Sequence, residues 1–215
     1  MDVKPIETYY NGYRFRSRLE ARVAVLFDRA NIKYQYEPEG FESDGVCYLP
    51  DFYLPDEDFY VEVKPIRDGF REEIAKAAKV ICRGLYKPLL VITDIPSYSS
   101  NGSVWWHTML GVNTITDELI AHRVFLYSGN PVEDGTDRSF FHGRDFYEGR
   151  MDDVCMDRIL NNSNEKLEKF FSPLHGKETA SDEWSVFELF HSKKIDAAYT
   201  AARQARFEYG ETPRI

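Results

Sequence analysis

Two acidic residues and one lysine are spaced so that together they could act on a phosphate ester. Asp51 follows a proline in the aromatic-rich, extended segment 46–54, and Glu62 and Lys64 lie two residues apart in the segment 59–64. Alternate residues of a strand point to the same face, so Glu62 and Lys64 project together. A short turn joins the two segments, which predicts an antiparallel hairpin with Asp51 beside Glu62.

Two carboxylates and a backbone carbonyl, such as that of Val63, form the kind of oxygen site that binds Mg²⁺ or Mn²⁺. A bound metal polarises a phosphoryl oxygen and lowers the pKa of water. Lys64 beside it would hold the attacking water or stabilise charge that develops on the phosphate. Glu-x-Lys on one strand face is also common on solvated sheets. Asp51, a charge in an otherwise apolar strand, makes the pattern more specific.

Glu20 is a further acidic candidate, on the helix predicted over 17–30. Ser17 and Glu20 have the spacing of a capping box, in which the glutamate reaches back to the Ser17 amide. The alternative is that Glu20 belongs to the site. Both hold if the start of the helix faces the hairpin.

The elements around these residues predict an α/β chain. They are, in order, a helix over 17–30, strands over 33–37, 46–54 and 59–64, a helix over 70–85 and a strand over 88–93. Pro50 cannot donate to a ladder, so its strand is expected to be an edge or locally distorted.

The rest of the chain gives weaker signals. We expect strands over 104–107 and 123–127, mostly loop over 128–151, and helices over 153–171 and 194–209. This predicts a core over 1–128 and a less regular, partly helical extension over 129–215 that packs on the core or is appended to it.

The ordered set Glu20, Asp51, Glu62 and Lys64 resembles the PD-(D/E)XK, or restriction-endonuclease-like, nuclease superfamily. The strings FRSRLEARVAVLFDRANIKYQYEPEGF, YLPDFYLP and YVEVKP are similar to phage and bacterial members. Transposon-end endonuclease subunits and archaeal-type Holliday-junction resolvases are similar in carrying an acid on the first helix. The resemblance covers roughly residues 10–95.

The resemblance implies a restriction-endonuclease-like mixed sheet flanked by helices and a Mg²⁺ (or Mn²⁺) cofactor. It implies that Asp51 and Glu62 are metal ligands and that Lys64 is the catalytic lysine. Glu20 would be a further ligand, direct or through water.

Basic residues near the motif are candidates for phosphate contacts. They are Arg16, Arg18, Arg67 and Arg71. Tyrosines interleave with the first two, and phosphate contacts combined with aromatic platforms suit nucleic acid. The alternative is that these are solvated faces and core aromatics.

Composition limits the function classes. The net charge is −9, from 27 basic and 36 acidic residues, which argues against a passive nucleic-acid binder. The three cysteines are widely spaced without a CxxC motif, which is typical of a reducing compartment. We see no signal peptide and no apolar run of the ~18 residues that a membrane helix needs. We therefore expect a cytoplasmic protein of a bacterial or phage-infected cell, without a membrane partner.

The sequence thus favours a metal-dependent DNA endonuclease that serves phage DNA processing or defence. One alternative is a structure-selective, resolvase-like homodimer. Another is a non-cutting nucleic-acid-binding or assembly factor on a nuclease fold, with a protein partner bound through the C-terminal region.

Overall fold

The structure is a computed structural model, and it describes residues 6–96, 106–128, 139–143, 154–160, 171 and 193–207. Its helices are α1 (Arg18–Ala30), α2 (Phe70–Ala78), which continues as a π-helix over Lys79–Gly84, α3 (Met156–Leu160) and α4 (Lys193–Gln204). Its strands are β1 (Thr8–Tyr10), β2 (Tyr13–Phe15), β3 (Gln35–Tyr36), β4 (Phe41–Ser43), β5 (Val46–Tyr48), β6 (Phe52–Leu54), β7 (Phe59–Val63), β8 (Leu89–Ile92), β9 (Trp106–Val112), β10 (Leu119–Ser128), β11 (Ser139–Gly143) and β12 (Val154–Cys155).

An eight-stranded mixed sheet forms the centre of the fold. Seven strands follow the order β11-β10-β9-β8-β7-β6-β3, and β12 pairs with another part of β10. The β7–β8 pair is parallel and is connected through α2, whereas the other pairs are antiparallel. The α/β class predicted from the sequence is therefore confirmed. The finer assignment to a restriction-endonuclease-like architecture stays a prediction.

Two apolar cores lie on the two faces of this sheet. The first packs α1 and α4 against inward residues of β6 and β7, including Phe52 and Val61. The second packs α2 and the π-helix against the opposite face, with Ile74, Ile81 and Leu89 fully buried. Alternation along β7 sends Val61 and Val63 to the first core and Tyr60 to the second.

The segment 46–54 is not one strand. Val46–Tyr48 pairs with β4 in a separate two-stranded sheet, while Phe52–Leu54 pairs with β7 in the central sheet. The break contains Pro50, which has no N–H to donate to a ladder. The expected local distortion is confirmed, and the hairpin of β6 and β7 is the one predicted.

The later elements differ in extent from the sequence predictions. β9 and β10 are longer than expected, because they pair with each other over seven residue pairs. β11 occupies part of 128–151, where mostly loop was expected, because the far half of β10 offers it an edge. In 153–171 the described helix is confined to Met156–Leu160, apart from the helical residue Phe171. Residues 161–170 lie outside the described residues.

The described parts of 129–215 share the sheet and core of the earlier residues. β11 and β12 extend the central sheet, and α4 packs along α1. α4 ends at Gln204 rather than at 209, and the chain continues over 205–207 so that Phe207 meets Tyr10 edge to face, with ring centroids 6.1 Å apart. The domain boundary at 128 stays a prediction.

A buried polar pair links α4 to the sheet. Nε2 of His107 on β9 lies 2.6 Å from the hydroxyl of Tyr199 on α4, and the two rings are stacked. Burial lowers the pKa of His107 from 6.5 to about 4, so the imidazole is neutral in the fold at neutral pH.

This burial predicts a loss of stability in mild acid. Between pH 6.5 and 4 the unfolded chain binds a proton at His107 that the folded chain does not, so the free energy of unfolding falls as pH falls. The loss attributable to His107 approaches about 3 kcal/mol near pH 4. Urea unfolding at pH 7 and 4.5 should show a smaller drop for His107→Gln, which keeps a polar group but does not titrate. Equal drops would contradict a neutral, buried His107.

Candidate functional site

Asp51 and Glu62 face each other where the β6–β7 ladder ends. The ladder pairs Phe52 with Val61, and the next position of the same register places Asp51 opposite Glu62. Directly opposed residues of an antiparallel pair have Cβ atoms roughly 5 Å apart. Both side chains are nearly buried, with 5% and 7% of the residue surface exposed. Two acidic groups thus lie side by side with little exposure to solvent.

Asp51 is held at both of its carboxylate oxygens. The Val63 N–H donates to Oδ2 over 2.8 Å, and the Arg16 guanidinium donates from Nη2 to Oδ1 over 3.1 Å. Even so, burial and the carboxylates of Glu62 and Glu20 raise the pKa of Asp51 well above its ordinary value. The hydrogen bonds offset only part of the cost of placing a charge here.

Glu62 is held by a tyrosine from outside the central sheet. The Tyr48 hydroxyl, at the end of β5, donates to Oε2 of Glu62. Burial raises the pKa of Glu62, although the Tyr48 hydrogen bond and the Lys64 charge act in the opposite direction. The β4–β5 hairpin therefore contributes directly to the position of this carboxylate.

Glu20 points towards the same site from the first turn of α1. Ser17 caps the helix as predicted, because its Oγ accepts from the Glu20 N–H over 3.2 Å. The Glu20 carboxylate does not complete a capping box with the Ser17 amide. Its Oε2 accepts instead from the Arg16 N–H over 3.1 Å and from the Tyr36 hydroxyl over 2.7 Å. Glu20 is buried, so a third acidic side chain lies near the pair.

Lys64 lies just beyond β7, on the same face as Glu62. Its ammonium group pairs with Glu73 in the first turn of α2, and 20% of its side chain is exposed. Burial lowers the pKa of Lys64, the Glu62 carboxylate opposes this, and the nearby Arg67 adds to it. Lys64 is thus a partly desolvated cation at the opening of the acidic pair.

These side chains line one open cleft of about 530 Å³. The predicted site residues found in its wall are Arg16, Glu20, Asp51, Glu62, Val63, Lys64 and Arg67. Of the described residues predicted to contact nucleic acid, Arg18 and Arg71 are not in this wall. Arg71 donates to the Leu160 carbonyl and so ties α2 to α3.

Four residues that hold the site were missed by the sequence analysis. They are Tyr36, Glu37, Tyr48 and Glu73. Glu73 had a detectable signal, since an acidic residue is favoured in the first turn of a helix. Tyr36 and Tyr48 were predicted only as strand residues, and Glu37 reaches Arg16 because its backbone turns at a φ of 44°.

The donors available here have the chemistry of a hard-cation site. The Val63 N–H meets Asp51, and in an antiparallel pair a residue's N–H and C=O leave the strand on the same edge, so the Val63 carbonyl lies on the edge that faces Asp51. All three donors are oxygen atoms, as Mg²⁺ prefers. Among the described residues, no group of three or more His, Cys, Asp or Glu side chains is placed to hold a metal ion. Two carboxylates and one carbonyl could offer a hard cation three oxygen ligands, with water supplying the rest.

No protein-family model, curated protein or solved structure matches the chain. No helix within the described ranges is long and apolar enough to cross a membrane.

Proposed function

We propose that the protein is a metal-dependent nuclease that hydrolyses phosphodiester bonds, most readily in DNA. The observation that carries the proposal is the buried pair of Asp51 and Glu62, opposed at the end of one hairpin with Lys64 at its opening. Burying two like charges side by side lowers stability, and a bound divalent cation would offset their repulsion.

Asp51, Glu62 and the Val63 carbonyl would hold Mg²⁺ or Mn²⁺, with Glu20 near enough to bind through water. The cation would supply Lewis-acid stabilisation of a phosphoryl oxygen and would acidify water. Hydrolysis adds a water oxygen to phosphorus, breaks one P–O ester bond and leaves a proton on the departing oxygen.

Lys64 has two features that suit this reaction. Its ammonium group donates up to three hydrogen bonds, and its partner Glu73 keeps it at the opening of the cleft. From there it would orient the attacking water or stabilise charge on the phosphate. Arg67 and Arg16 in the same wall would contact the phosphate backbone.

The test is a cleavage assay of the wild type and Lys64→Ala. Substrates are supercoiled, linear, single-stranded and branched DNA and RNA, each with Mg²⁺, Mn²⁺ or EDTA. We expect metal-dependent cutting that falls by roughly 10²- to 10⁴-fold in Lys64→Ala. Lys33→Ala is the matched control, because Lys33 forms an exposed pair with Asp56 outside the cleft.

The preferred substrate distinguishes the endonuclease proposal from its alternatives. Selective cutting of branched DNA would favour a resolvase-like homodimer over a general endonuclease. If no substrate is cut and calorimetry detects no metal binding, the nuclease proposal fails. A non-cutting binding or assembly factor would then be the better hypothesis.

A further inference from the structure

Arg16 makes more contacts with the acidic residues of the cleft than the proposed reaction requires. Its Nη2 lies 3.1 Å from Oδ1 of Asp51, its Nε lies 2.6 Å from Oε1 of Glu37, and its backbone N–H lies 3.1 Å from Oε2 of Glu20. An arginine guanidinium stays protonated at any working pH, so Arg16 carries its positive charge against Asp51. Arg16 is therefore the positive charge in direct contact with Asp51.

Glu37 positions this arginine. The Glu37 N–H donates to the backbone carbonyl of Asp51 over 2.8 Å, so Glu37 and Asp51 are joined through their main chains. The guanidinium thus bridges two carboxylates whose spacing the backbone fixes. Its second anchor, Glu37, is not one of the proposed ligands and would still hold Arg16 if Asp51 released it.

The Arg16 side chain is also exposed on its outer face. About 55% of it is exposed, whereas Asp51 beneath it is almost fully buried. Arg16 could therefore leave Oδ1 by a rotation into the open cleft without disturbing the core.

We propose that Arg16 is the resident counter-ion of the acidic pair and exchanges with a divalent cation. With no cation bound, its guanidinium neutralises Asp51; when a cation binds, Arg16 leaves Oδ1, stays anchored by Glu37 and becomes a phosphate contact at the cleft. Arg16 is then a positioning and specificity residue that couples metal binding to nucleic-acid binding. This inference rests on the proposed nuclease function.

Calorimetric titration with Mn²⁺ in the absence of nucleic acid tests the exchange. Because the cation must displace a charge-assisted hydrogen bond in the wild type, Arg16→Gln should bind Mn²⁺ roughly tenfold more tightly. Arg14→Gln is the matched control, since Arg14 lies on the neighbouring β2 and pairs with the exposed Glu7. Its Mn²⁺ affinity should equal that of the wild type.

A second measurement tests the phosphate contact. In a Lys64→Ala background with Mn²⁺, adding Arg16→Gln should weaken binding of a DNA duplex several-fold. It should also reduce the slope of log K against log salt by about one. Arg14→Gln in that background should leave both quantities unchanged.

The outcomes separate the inference from the function on which it rests. Unchanged or weaker Mn²⁺ binding by Arg16→Gln, with clear binding by the wild type, would overturn the counter-ion role while leaving the nuclease proposal intact. Absence of Mn²⁺ binding by both proteins would overturn the exchange, and the nuclease proposal would fail with it if no substrate is cut. If Arg16→Gln binds Mn²⁺ more tightly but its DNA affinity and salt slope are unchanged, the claim that Arg16 becomes a phosphate contact is rejected.

Discussion

Glu62→Gln is expected to become inactive and, without metal, more stable than the wild type. The glutamine keeps an oxygen that can accept from Tyr48, but it removes one of two opposed buried charges. Cleavage should fall by roughly 10²- to 10⁴-fold. The free energy of unfolding at pH 8 in EDTA should rise by about 1 kcal/mol, because the glutamine removes the repulsion between two buried carboxylates. Residues that serve a functional site often lower stability in this way.

The pH dependence of this gain gives a second check. Burial raises the folded-state pKa of Glu62, so the stability of the wild type falls as pH rises above the ordinary glutamate pKa and levels off above the raised folded-state pKa. The advantage of Glu62→Gln should therefore shrink as pH falls towards the ordinary glutamate range. Saturating Mg²⁺ should stabilise the wild type and leave the variant unchanged. A variant less stable than the wild type at pH 8 in EDTA would contradict the claim that the opposed carboxylates of Asp51 and Glu62 destabilise the metal-free protein.

Phe52→Ala is expected to cost about 4 kcal/mol of stability and to disorganise the cleft. Phe52 is fully buried and lies at the centre of an aromatic cluster, with ring centroids 5.3 to 6.0 Å from those of Phe15, Phe27, Tyr34 and Tyr36. Truncation would leave a cavity in the core between α1 and β6. Tyr36, which donates to Glu20, would lose one aromatic neighbour and keep Phe15 and Tyr13.

Chemical denaturation of Phe52→Ala and Phe52→Leu measures this effect. The leucine variant fills most of the cavity and should lose less than half as much stability, with residual cleavage tracking the folded fraction. A cost below ~1 kcal/mol for Phe52→Ala would show that the aromatic cluster does not support the site as described.

Local signals predicted the parts of this site that lie on one hairpin and one helix. Alternation along β7 placed Glu62 with Lys64, and the turn chemistry brought Asp51 opposite Glu62. Ser17 predicted the start of α1 and therefore placed Glu20 in the first turn of that helix. Each of these relationships depends on residues close in sequence, which is why a single chain was enough to predict them.

The contacts that hold the site were harder to predict, because they come from elements whose placement is tertiary. Tyr48 reaches Glu62 only because Pro50 ends one strand and the chain then crosses from a small sheet into the central one. Arg71 and Arg67 looked equivalent in sequence. In the structure the Arg71 guanidinium donates to the Leu160 carbonyl of α3, and Arg71 does not line the cleft. The strand β11 forms by pairing with one edge of β10, and no local sequence pattern predicts that pairing.

The packing of α4 on α1 also sets an order of events in folding. Ala198, Tyr199 and Ala202 cover the same helix that carries Glu20, and Arg22 of α1 donates to the Ala205 carbonyl over 3.4 Å. These contacts join residues far apart in the chain, so closing them is slow and comes after local structure. During synthesis the part of α1 that α4 covers stays exposed until residues 193–207 have been made, and such exposed apolar surface is prone to aggregation. The helix that carries Glu20 would therefore reach its final packing only after residues 193–207 have been made.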